Sequence, residues 1–317
     1  MTGEPILLVA LDSDAGAPSA EAIAAAEAGL AGLPCPAVAL DTGSPQSTAT
    51  PLRDHFDIVI SSQEELEPIL VATRRTPLAA MALVQLLRQS ARLDIHQGLI
   101  AESLVYSTLQ SGPEFGRWLS ARPAAPVYEP SPEPPVLLRR SGARLELTLN
   151  RPEKRNAFSA QMRDALVEGL RTAVCDSSIT EVILRGAGPA FCSGGDLDEF
   201  GSLPDPSTAH AVRSTRNPAR LLGQCADRVR AELHGACVGA GIELAAFARK
   251  LTASEDAFFQ LPEVAMGLVP GAGGTVSIPR RIGRQRTAHL ALSGLRIDAV
   301  TAHHWGLIDE IREEPVV

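Results

Sequence analysis

Two short glycine-rich segments in the C-terminal half could hold an anion through backbone N–H groups. They are SGGD at residues 193–196, which follows an apolar run, and VGAG at 238–241, which leads into the helix-forming sequence IELAAFA. Consecutive small residues leave N–H groups unobstructed, and a helix N-terminus favours negative charge. Such groups can stabilise a developing oxyanion. Each segment also admits a plainer interpretation, a tight turn for the first and close helix packing for the second.

Two glutamates lie in apolar sequence near these segments. Glu243 is three residues into the helix that VGAG begins, and Glu263 lies within LPEVAMGLVP. Carboxyl groups in apolar surroundings have raised pKa values and can exchange protons near neutral pH. Taken singly, Glu243 could instead face solvent as a partner of the helix dipole, and Glu263 could be part of an N-cap.

The elements that must position these residues alternate between strand and helix. The patterns predict strands at 145–149 and 181–185, helices at 159–174 and near 217–230, and a helical segment at 284–306. Glycine-rich turns separate them. This alternation predicts the α/β class for the C-terminal half.

The N-terminal part has its own pattern. Apolar runs at 6–11, 36–40 and 56–60 predict strands, and an alanine-rich stretch at 20–33 predicts a helix. Between residues 64 and 119 the apolar spacing becomes helical. Pro77 and Gly112-Pro113 interrupt this stretch, and we predict three helices in it. Because nothing nearby would cover these helices, we expect them to pack on another part of the chain.

A proline-rich stretch divides the chain. Residues 123–135 contain six prolines and predict a stiff linker. Residues 1–135 carry 16 acidic and 7 basic residues, whereas residues 136–317 carry 21 acidic and 22 basic ones. We therefore predict an acidic accessory region at 1–122, a linker at 123–135 and a catalytic core at 136–317.

Composition narrows the class of protein. The chain has 317 residues, 45% of them hydrophobic, and a net charge of −8 that disfavours nonspecific nucleic-acid binding. No apolar run approaches the ~20 residues of a membrane span, and the first residues lack a basic, cleavable signal. The five cysteines fit neither a disulfide framework nor a zinc site. We expect a cytoplasmic protein that binds no metal, membrane or nucleic acid.

The order and spacing of four motifs carry more information than any one of them. LTLNRPEKRNAFS, FCSGGDLDEF, HGACVGAGIELA and FFQLPEVAMGLVPGAGGT follow one another within residues 136–311. In this order they resemble the enoyl-CoA hydratase/isomerase (crotonase) superfamily. The resemblance implies an α/β fold, a crotonase-like ββα spiral core with an additional N-terminal α/β and helical region. It also implies assembly as a homotrimer or hexamer.

The resemblance implies roles for four residues. The backbone N–H groups of Gly195 and Ala240 would bind the thioester carbonyl and stabilise an enolate; relatives usually have glycine where this chain has Ala240. Glu243 would activate water for addition at the β-carbon, and Glu263 would deliver a proton to the α-carbon. Because hydratases of the family use both acids, we expect an enoyl-CoA hydratase acting on an acyl-CoA substrate. No cofactor is expected beyond the coenzyme A of the substrate.

Coenzyme A contacts and the alternative activities also follow from the resemblance. Gly195, Asp196, Leu197 and Asp198 would line the pantetheine tunnel. Lys154 and Arg155 are candidates for the adenosine phosphates by charge and position, although a solvated surface role is equally open. The alternatives are an isomerase, dehydratase or hydrolase acting on an unusual acyl-CoA in a biosynthetic pathway, or a noncatalytic member that binds acyl-CoA.

One departure from the family pattern concerns the helical tail that normally follows the core and closes the acyl pocket. The chain given ends at EIREEPVV, and the segment 64–122 resembles such a tail instead. We therefore expect the tail to precede the core, by circular permutation or as a remnant of duplication. This hypothesis requires the helices of 64–122 to lie beside the cleft that holds Glu243 and Glu263, in the same subunit or a neighbouring one.

Overall fold

The computed structural model describes residues 5–11, 18–42, 50–123, 132–202 and 205–313. Its strands are β1 (Leu7–Leu11), β2 (Ala37–Asp41), β3 (Ile58–Ile60), β4 (Val136–Ser141), β5 (Arg144–Leu149), β6 (Glu181–Gly186), β7 (Val229–Leu233), β8 (Ala236–Val238), β9 (Lys250–Ser254), β10 (Phe258–Gln260), β11 (Ile297–Asp298) and β12 (Glu310–Arg312). Its helices are α1 (Ala20–Gly32), α2 (Thr50–Arg53), α3 (Gln63–Arg75), α4 (Pro77–Ser90), α5 (Ile95–Gln110), α6 (Pro113–Ser120), α7 (Ala160–Cys175), α8 (Pro206–Thr215), α9 (Pro218–Gln224), α10 (Ala240–Ala245), α11 (Gly274–Ser293) and α12 (Ala299–Trp305). Strand and helix alternate, so the α/β class predicted from the sequence is confirmed.

A six-stranded sheet forms the main layer of the C-terminal part. Its strand order is β12-β9-β7-β6-β5-β4, with every pair parallel except the β4–β5 hairpin. In β5 the sequence RLELTL alternates, so Leu145, Leu147 and Leu149 are buried while Glu146 and Thr148 are half-buried. This period of two places one face of the strand in the core.

A second, three-stranded sheet in the order β11-β10-β8 positions the glycine-rich segments. The strand β8 ends at Val238, the first residue of VGAG, and an isolated bridge joins Cys192 to Cys237. That bridge sets SGGD alongside VGAG. Two segments that are more than 40 residues apart in sequence therefore meet at one point of the fold.

The predicted strands of the N-terminal part are confirmed as a parallel sheet in the order β1-β2-β3. The predicted helix at 20–33 is α1, whose first turn is capped by the side chain of Ser19 accepting a hydrogen bond from the Ala22 N–H. Most of the predicted linker, residues 124–131, lies outside the described residues.

The prediction of three helices between 64 and 119 is wrong, because four are present. The stretch is interrupted at Pro77 and at Gly112-Pro113 as predicted, and Pro77 and Pro113 each begin a helix, α4 and α6. Proline is tolerated at a first helical position, where its missing N–H would have no intrahelical partner. The Glu114 carboxylate accepts from the N–H groups of Leu78 and Ala79, which completes the start of α4.

Two predicted C-terminal helices also differ. Instead of one helical segment over 284–306, α11 begins at Gly274, bends at Gly283 (φ 77°), and is followed by β11 and α12. Instead of one helix near 217–230, α9 ends at Gln224 and β7 starts at Val229. Gly283 and Gly294 mark the bend and the end of α11, which the apolar spacing does not indicate.

The N-terminal helices pack on the C-terminal part and share one hydrophobic core with it. Helices α3, α4 and α5 contact α11, and α5 also contacts α8 and α9. The core runs from Leu83 and Val84 of α4 to Ile278 of α11. In the described part of the chain no single helix is long and apolar enough to span a bilayer; α3 and α4 meet that requirement only jointly, across a bend of 112°.

Candidate active site

A cavity of about 430 Å³ lies where the glycine-rich segments meet the N-terminal helices. Part of its wall is apolar and comes from both halves of the chain: Tyr106, Phe115, Leu119, Phe158, Phe200 and Pro218. Its lining also includes four residues singled out from the sequence: Gly195, Ala240, Glu243 and Glu263. The fold therefore brings both candidate amides and both candidate acids to one cavity.

The two candidate oxyanion donors are backbone N–H groups at the cavity wall. Neither the Gly195 nor the Ala240 N–H donates a hydrogen bond within residues 5–11, 18–42, 50–123, 132–202 and 205–313. The segments that carry them touch: a Cβ on Gly194 would lie 3.2 Å from the Val238 carbonyl oxygen. Two N–H groups at one cavity that have no acceptor in the described part of the chain are suited to binding a carbonyl oxygen.

Glu243 is held at the cavity by the residues around the start of α11. The residue is 2% exposed, and its Oε2 accepts hydrogen bonds from the N–H groups of Ala272 (2.7 Å) and Gly274 (2.9 Å). Burial raises the pKa of Glu243 well above its usual range, and the negative charges of Glu263 and Glu102 raise it further. The two N–H donors act in the opposite direction, because they stabilise the ionised carboxylate.

Glu263 begins a 3-10 turn, Glu263–Met266, that follows β10. Burial raises the pKa of Glu263 to about 8. Its Oε2 is buried and has no hydrogen-bond partner among the residues that the structure describes. A carboxyl group with this environment stays protonated at neutral pH and has one oxygen free to act on a bound molecule.

The hydrogen bonds distinguish the two glutamates. Glu243 accepts two backbone N–H groups at the start of a long helix, whereas Glu263 Oε2 accepts from no group in the described part of the chain. The two donors favour the ionised form of Glu243, while burial and the negative charge of Glu263 oppose it.

Sequence reasoning missed three residues beside this site. Glu102 and Tyr106 of α5 and Arg213 of α8 were not proposed, yet Tyr106 and Arg213 line the cavity and Glu102 lies behind Glu243. The Arg213 guanidinium stacks on the Tyr106 ring at 4.6 Å and donates to Ser103 Oγ at 3.0 Å. The sequence offered one signal for Glu102, an acidic residue on the apolar face of a predicted helix, between Leu99 and Leu109.

The candidate coenzyme A residues do not all lie at the cavity. Asp196 lines it, whereas Leu197, Asp198, Lys154 and Arg155 lie outside its lining. The Lys154 ammonium forms ion pairs with Asp198 (2.7 Å) and Asp196 (3.6 Å). Arg155 is exposed, and its backbone is in the left-handed region with φ of 50°.

Comparison with known proteins identifies relatives of the C-terminal part. Residues 139–317 match the family model described as enoyl-CoA hydratase/isomerase. The chain is 36% identical over 174 residues to the 1,2-epoxyphenylacetyl-CoA isomerase of Escherichia coli K12, an alignment that covers 54% of the chain and 66% of that relative. It is 35% identical over 168 residues to the 2,3-dehydroadipyl-CoA hydratase of the same strain, covering 53% and 65%. The chain thus spans slightly under two thirds of each.

A solved structure shares the fold of the C-terminal part. The crystal structure of enoyl-CoA hydratase from Thermoplasma volcanium GSS1 superposes with a TM-score of 0.53 at 32% identity. The match covers 57% of the chain and 73% of that structure. The ββα spiral core expected from the motifs is therefore confirmed.

Proposed function

The chain belongs to the enoyl-CoA hydratase/isomerase (crotonase) superfamily, and on that basis we propose that it is an enoyl-CoA hydratase. The proposed reaction is the reversible addition of water to a 2-enoyl-CoA thioester. The observation that carries the proposal is the pair Glu243 and Glu263 at one cavity, the first buried and the second with a buried Oε2, beside two N–H groups that have no acceptor among the described residues. An acid and a base on one cavity are what addition of water across a double bond requires.

In the proposed mechanism the thioester oxygen accepts hydrogen bonds from the Gly195 and Ala240 N–H groups. Ionised Glu243 takes a proton from water while the water oxygen bonds to the β-carbon, and the π electrons move toward the carbonyl as an enolate. Protonated Glu263 then gives its proton to the α-carbon. The reaction is redox-neutral, so the proposal includes neither an electron carrier nor a metal, and coenzyme A takes part only as the substrate's thiol.

The substrate proposed is an acyl-CoA with an apolar acyl chain. Tyr106, Phe115 and Leu119 offer ring and methyl groups along the cavity, and burial of apolar surface favours chains that reach them. Arg155 is the better of the two candidate phosphate ligands, because Lys154 is already paired with carboxylates. We propose that pantetheine passes along Gly195, Asp196, Leu197 and Asp198.

We also propose that helices α3 to α6 serve as the tail that closes the acyl pocket, placed before the core. Support comes from Phe115 and Leu119 of α6 and Tyr106 of α5, which line the cavity beside the two glutamates. Assembly as a homotrimer or hexamer stays a prediction, and sedimentation velocity of the full chain would check it.

Double-bond isomerisation is the second candidate. Glu263 alone, with its free Oε2, could move a proton between the α- and γ-carbons of an enoyl thioester. The matching family model names both activities, enoyl-CoA hydratase and isomerase.

The test mixes purified protein with crotonyl-CoA and follows absorbance of the conjugated thioester. The expected result is loss of that absorbance, slowed by several orders of magnitude in both Glu243→Gln and Glu263→Gln. If 3-enoyl-CoA is converted to the conjugated ester while crotonyl-CoA is inert, the activity is isomerisation. If neither thioester reacts but coenzyme A esters bind, the proposal of an enoyl-CoA hydratase is wrong.

A further inference from the structure

Glu102 is a buried carboxylate that the proposed reaction does not use. It lies on α5, before the proline-rich stretch, and is 2% exposed. Its Oε1 accepts from the Gly273 N–H (2.7 Å), and its Oε2 accepts from both the N–H (2.9 Å) and the hydroxyl (2.7 Å) of Thr275. Three donors on one buried side chain indicate a built site, because an unpaired carboxylate there would be strongly disfavoured.

Glu102 and Glu243 share the start of α11 in strict alternation. The N–H groups of Ala272 and Gly274 donate to Glu243, and those of Gly273 and Thr275 donate to Glu102. Four consecutive N–H groups thus hold two carboxylates from opposite sides. The backbone at this point cannot rotate to improve one set of hydrogen bonds without loosening the other.

Gly273 makes the alternation possible. Its φ of 107° lies in the left-handed region, and an added Cβ would lie 2.6 Å from the Phe247 ring and 2.9 Å from Ala219 Cβ. A residue with a side chain would therefore be strained and overlapped at this position. The turn depends on its neighbours for its conformation, and Glu102 is the neighbour that contacts it from the N-terminal helices.

Ionisable groups near Glu243 lie on α5, on α8 and on the turn that begins at Glu263. Glu263 lies across the cavity, Glu102 and the Tyr106 hydroxyl come from α5, and Arg213 comes from α8. Burial raises the pKa of Glu102 to about 7, so this carboxyl changes charge near neutral pH. Its ionisation opposes that of Glu243, whereas Arg213 favours ionisation of Glu102.

We propose that Glu102 is a positioning residue for Glu243, which fixes the N–H groups of Ala272 and Gly274 so that they hold the catalytic carboxylate. This inference rests on the proposed function, because it assigns Glu102 a part in the same acid–base pair. It makes the N-terminal helices a component of the active site as well as a wall of the acyl pocket.

Two variants separate the position of Glu102 from its charge. Glu102→Gln keeps the length of the side chain and removes the charge, so the acid limb of the pH profile for kcat/KM should move to lower pH as ionisation of Glu243 becomes easier. Its amide nitrogen cannot accept a hydrogen bond, so one set of contacts to Gly273 or Thr275 is lost and kcat should fall as well. Glu102→Asp keeps the charge and withdraws the carboxylate by one methylene, so kcat should fall by roughly 10- to 100-fold, as a misplacement near 1 Å does. KM should change less than kcat in both.

Glu114→Gln is the matched control, because Glu114 is also buried and also holds the first N–H groups of a helix, α4. It should lower thermal stability but leave the pH profile where it is. Thr275→Val serves if Glu102→Gln does not fold, since it removes one donor to Glu102 and leaves the backbone N–H groups. That variant should raise the pKa of Glu102 and move the acid limb in the same direction.

A second readout does not depend on turnover. The titration of Glu243, followed by carboxyl NMR on protein with ¹³C-labelled glutamate and assigned with Glu243→Gln, should shift to lower pH in Glu102→Gln. If the wild-type protein converts no enoyl-CoA, the proposed function fails, and this titration still decides whether Glu102 acts on Glu243. An unshifted titration, or a Glu102→Asp enzyme with wild-type kcat, overturns the positioning role.

Discussion

Gly239 lies directly beneath the Glu263 carboxylate, so closely that a Cβ at position 239 would overlap Glu263 Oε1. The same residue accepts a hydrogen bond from the Glu243 N–H through its carbonyl oxygen (2.9 Å) and precedes Ala240, a candidate oxyanion donor. Its φ of 48° and ψ of −122° suit glycine alone. One residue without a side chain therefore touches three parts of the proposed catalytic apparatus.

We expect Gly239→Ala to lower kcat/KM for crotonyl-CoA by about 100-fold or more, because the methyl group must displace Glu263. Backbone strain should also cost about 1–3 kcal/mol of unfolding free energy. Gly283→Ala is the matched control: its φ is 77°, and an added Cβ meets no atom within 4 Å. It should lose comparable stability and keep its activity; equal activity losses in the two variants would show that strain alone is responsible.

The candidate oxyanion donor at Ala240 is its backbone N–H, which a proline substitution removes. Ala240 is the first residue of α10, a position where proline is accepted. Ala240→Pro removes the N–H, and we expect kcat/KM to fall by about 100- to 1000-fold, the effect of losing one such donor. Ala240→Gly retains the N–H and should remain active. Steady-state kinetics with circular dichroism of both variants checks this, and an active proline variant would exclude the donor role.

Some residues of the candidate site are identified by a short sequence motif, and others only by contacts that are distant in sequence. Gly195, Ala240, Glu243 and Glu263 could be singled out because each lies in one of the short motifs whose order and spacing resemble the crotonase superfamily. Glu102 could not, because its partners at Gly273 and Thr275 are more than 170 residues away. Only the packing of α5 on α11 brings them together, and apolar spacing predicts a buried face without naming the element that covers it.

The fold shows the same division. The strands β1, β2, β3, β5 and β6 follow their apolar runs, whereas the start of α4 at Pro77 is capped by a distant residue, Glu114. The bend of α11 at Gly283 likewise leaves no trace in the apolar spacing. Local patterns therefore predicted the class of fold better than the limits of its elements.

Gly116 of α6 offers a test of the acyl pocket. It lines the cavity, and a Cβ placed on it meets nothing within 4 Å. Gly116→Leu should therefore fill part of the cavity and lower kcat/KM for octenoyl-CoA at least 10-fold more than for crotonyl-CoA. Replacing a helical glycine should also raise unfolding free energy by about 0.5–1 kcal/mol, which separates pocket filling from damage.

The control for this test is Gly29→Ala in α1, where an added Cβ also meets nothing within 4 Å. It should raise stability without changing the preference for chain length. Equal losses for the short and long thioesters in Gly116→Leu would mean that the acyl chain does not reach α6.

The buried carboxyl groups predict how stability depends on pH. Burial raises the pKa of Glu102 to about 7 and that of Glu263 to about 8, whereas both groups in the unfolded chain have pKa values of about 4.3. Between about pH 5 and 8 the folded protein therefore binds more protons at these groups than the unfolded chain does. Raising the pH through this range lowers the unfolding free energy, and the loss is complete above the folded-state pKa values.

The contribution of each carboxyl is measured as the difference between a variant and the wild type. His289 acts in the opposite direction over part of the range, because burial lowers its pKa and the unfolded chain binds its proton more readily. We expect Tm to fall less steeply between pH 5 and 8 in Glu102→Gln and Glu263→Gln than in the wild type. Glu168→Gln, at an exposed carboxylate, should keep the wild-type slope. Parallel slopes in all four proteins would mean that these carboxyl groups titrate normally in the fold.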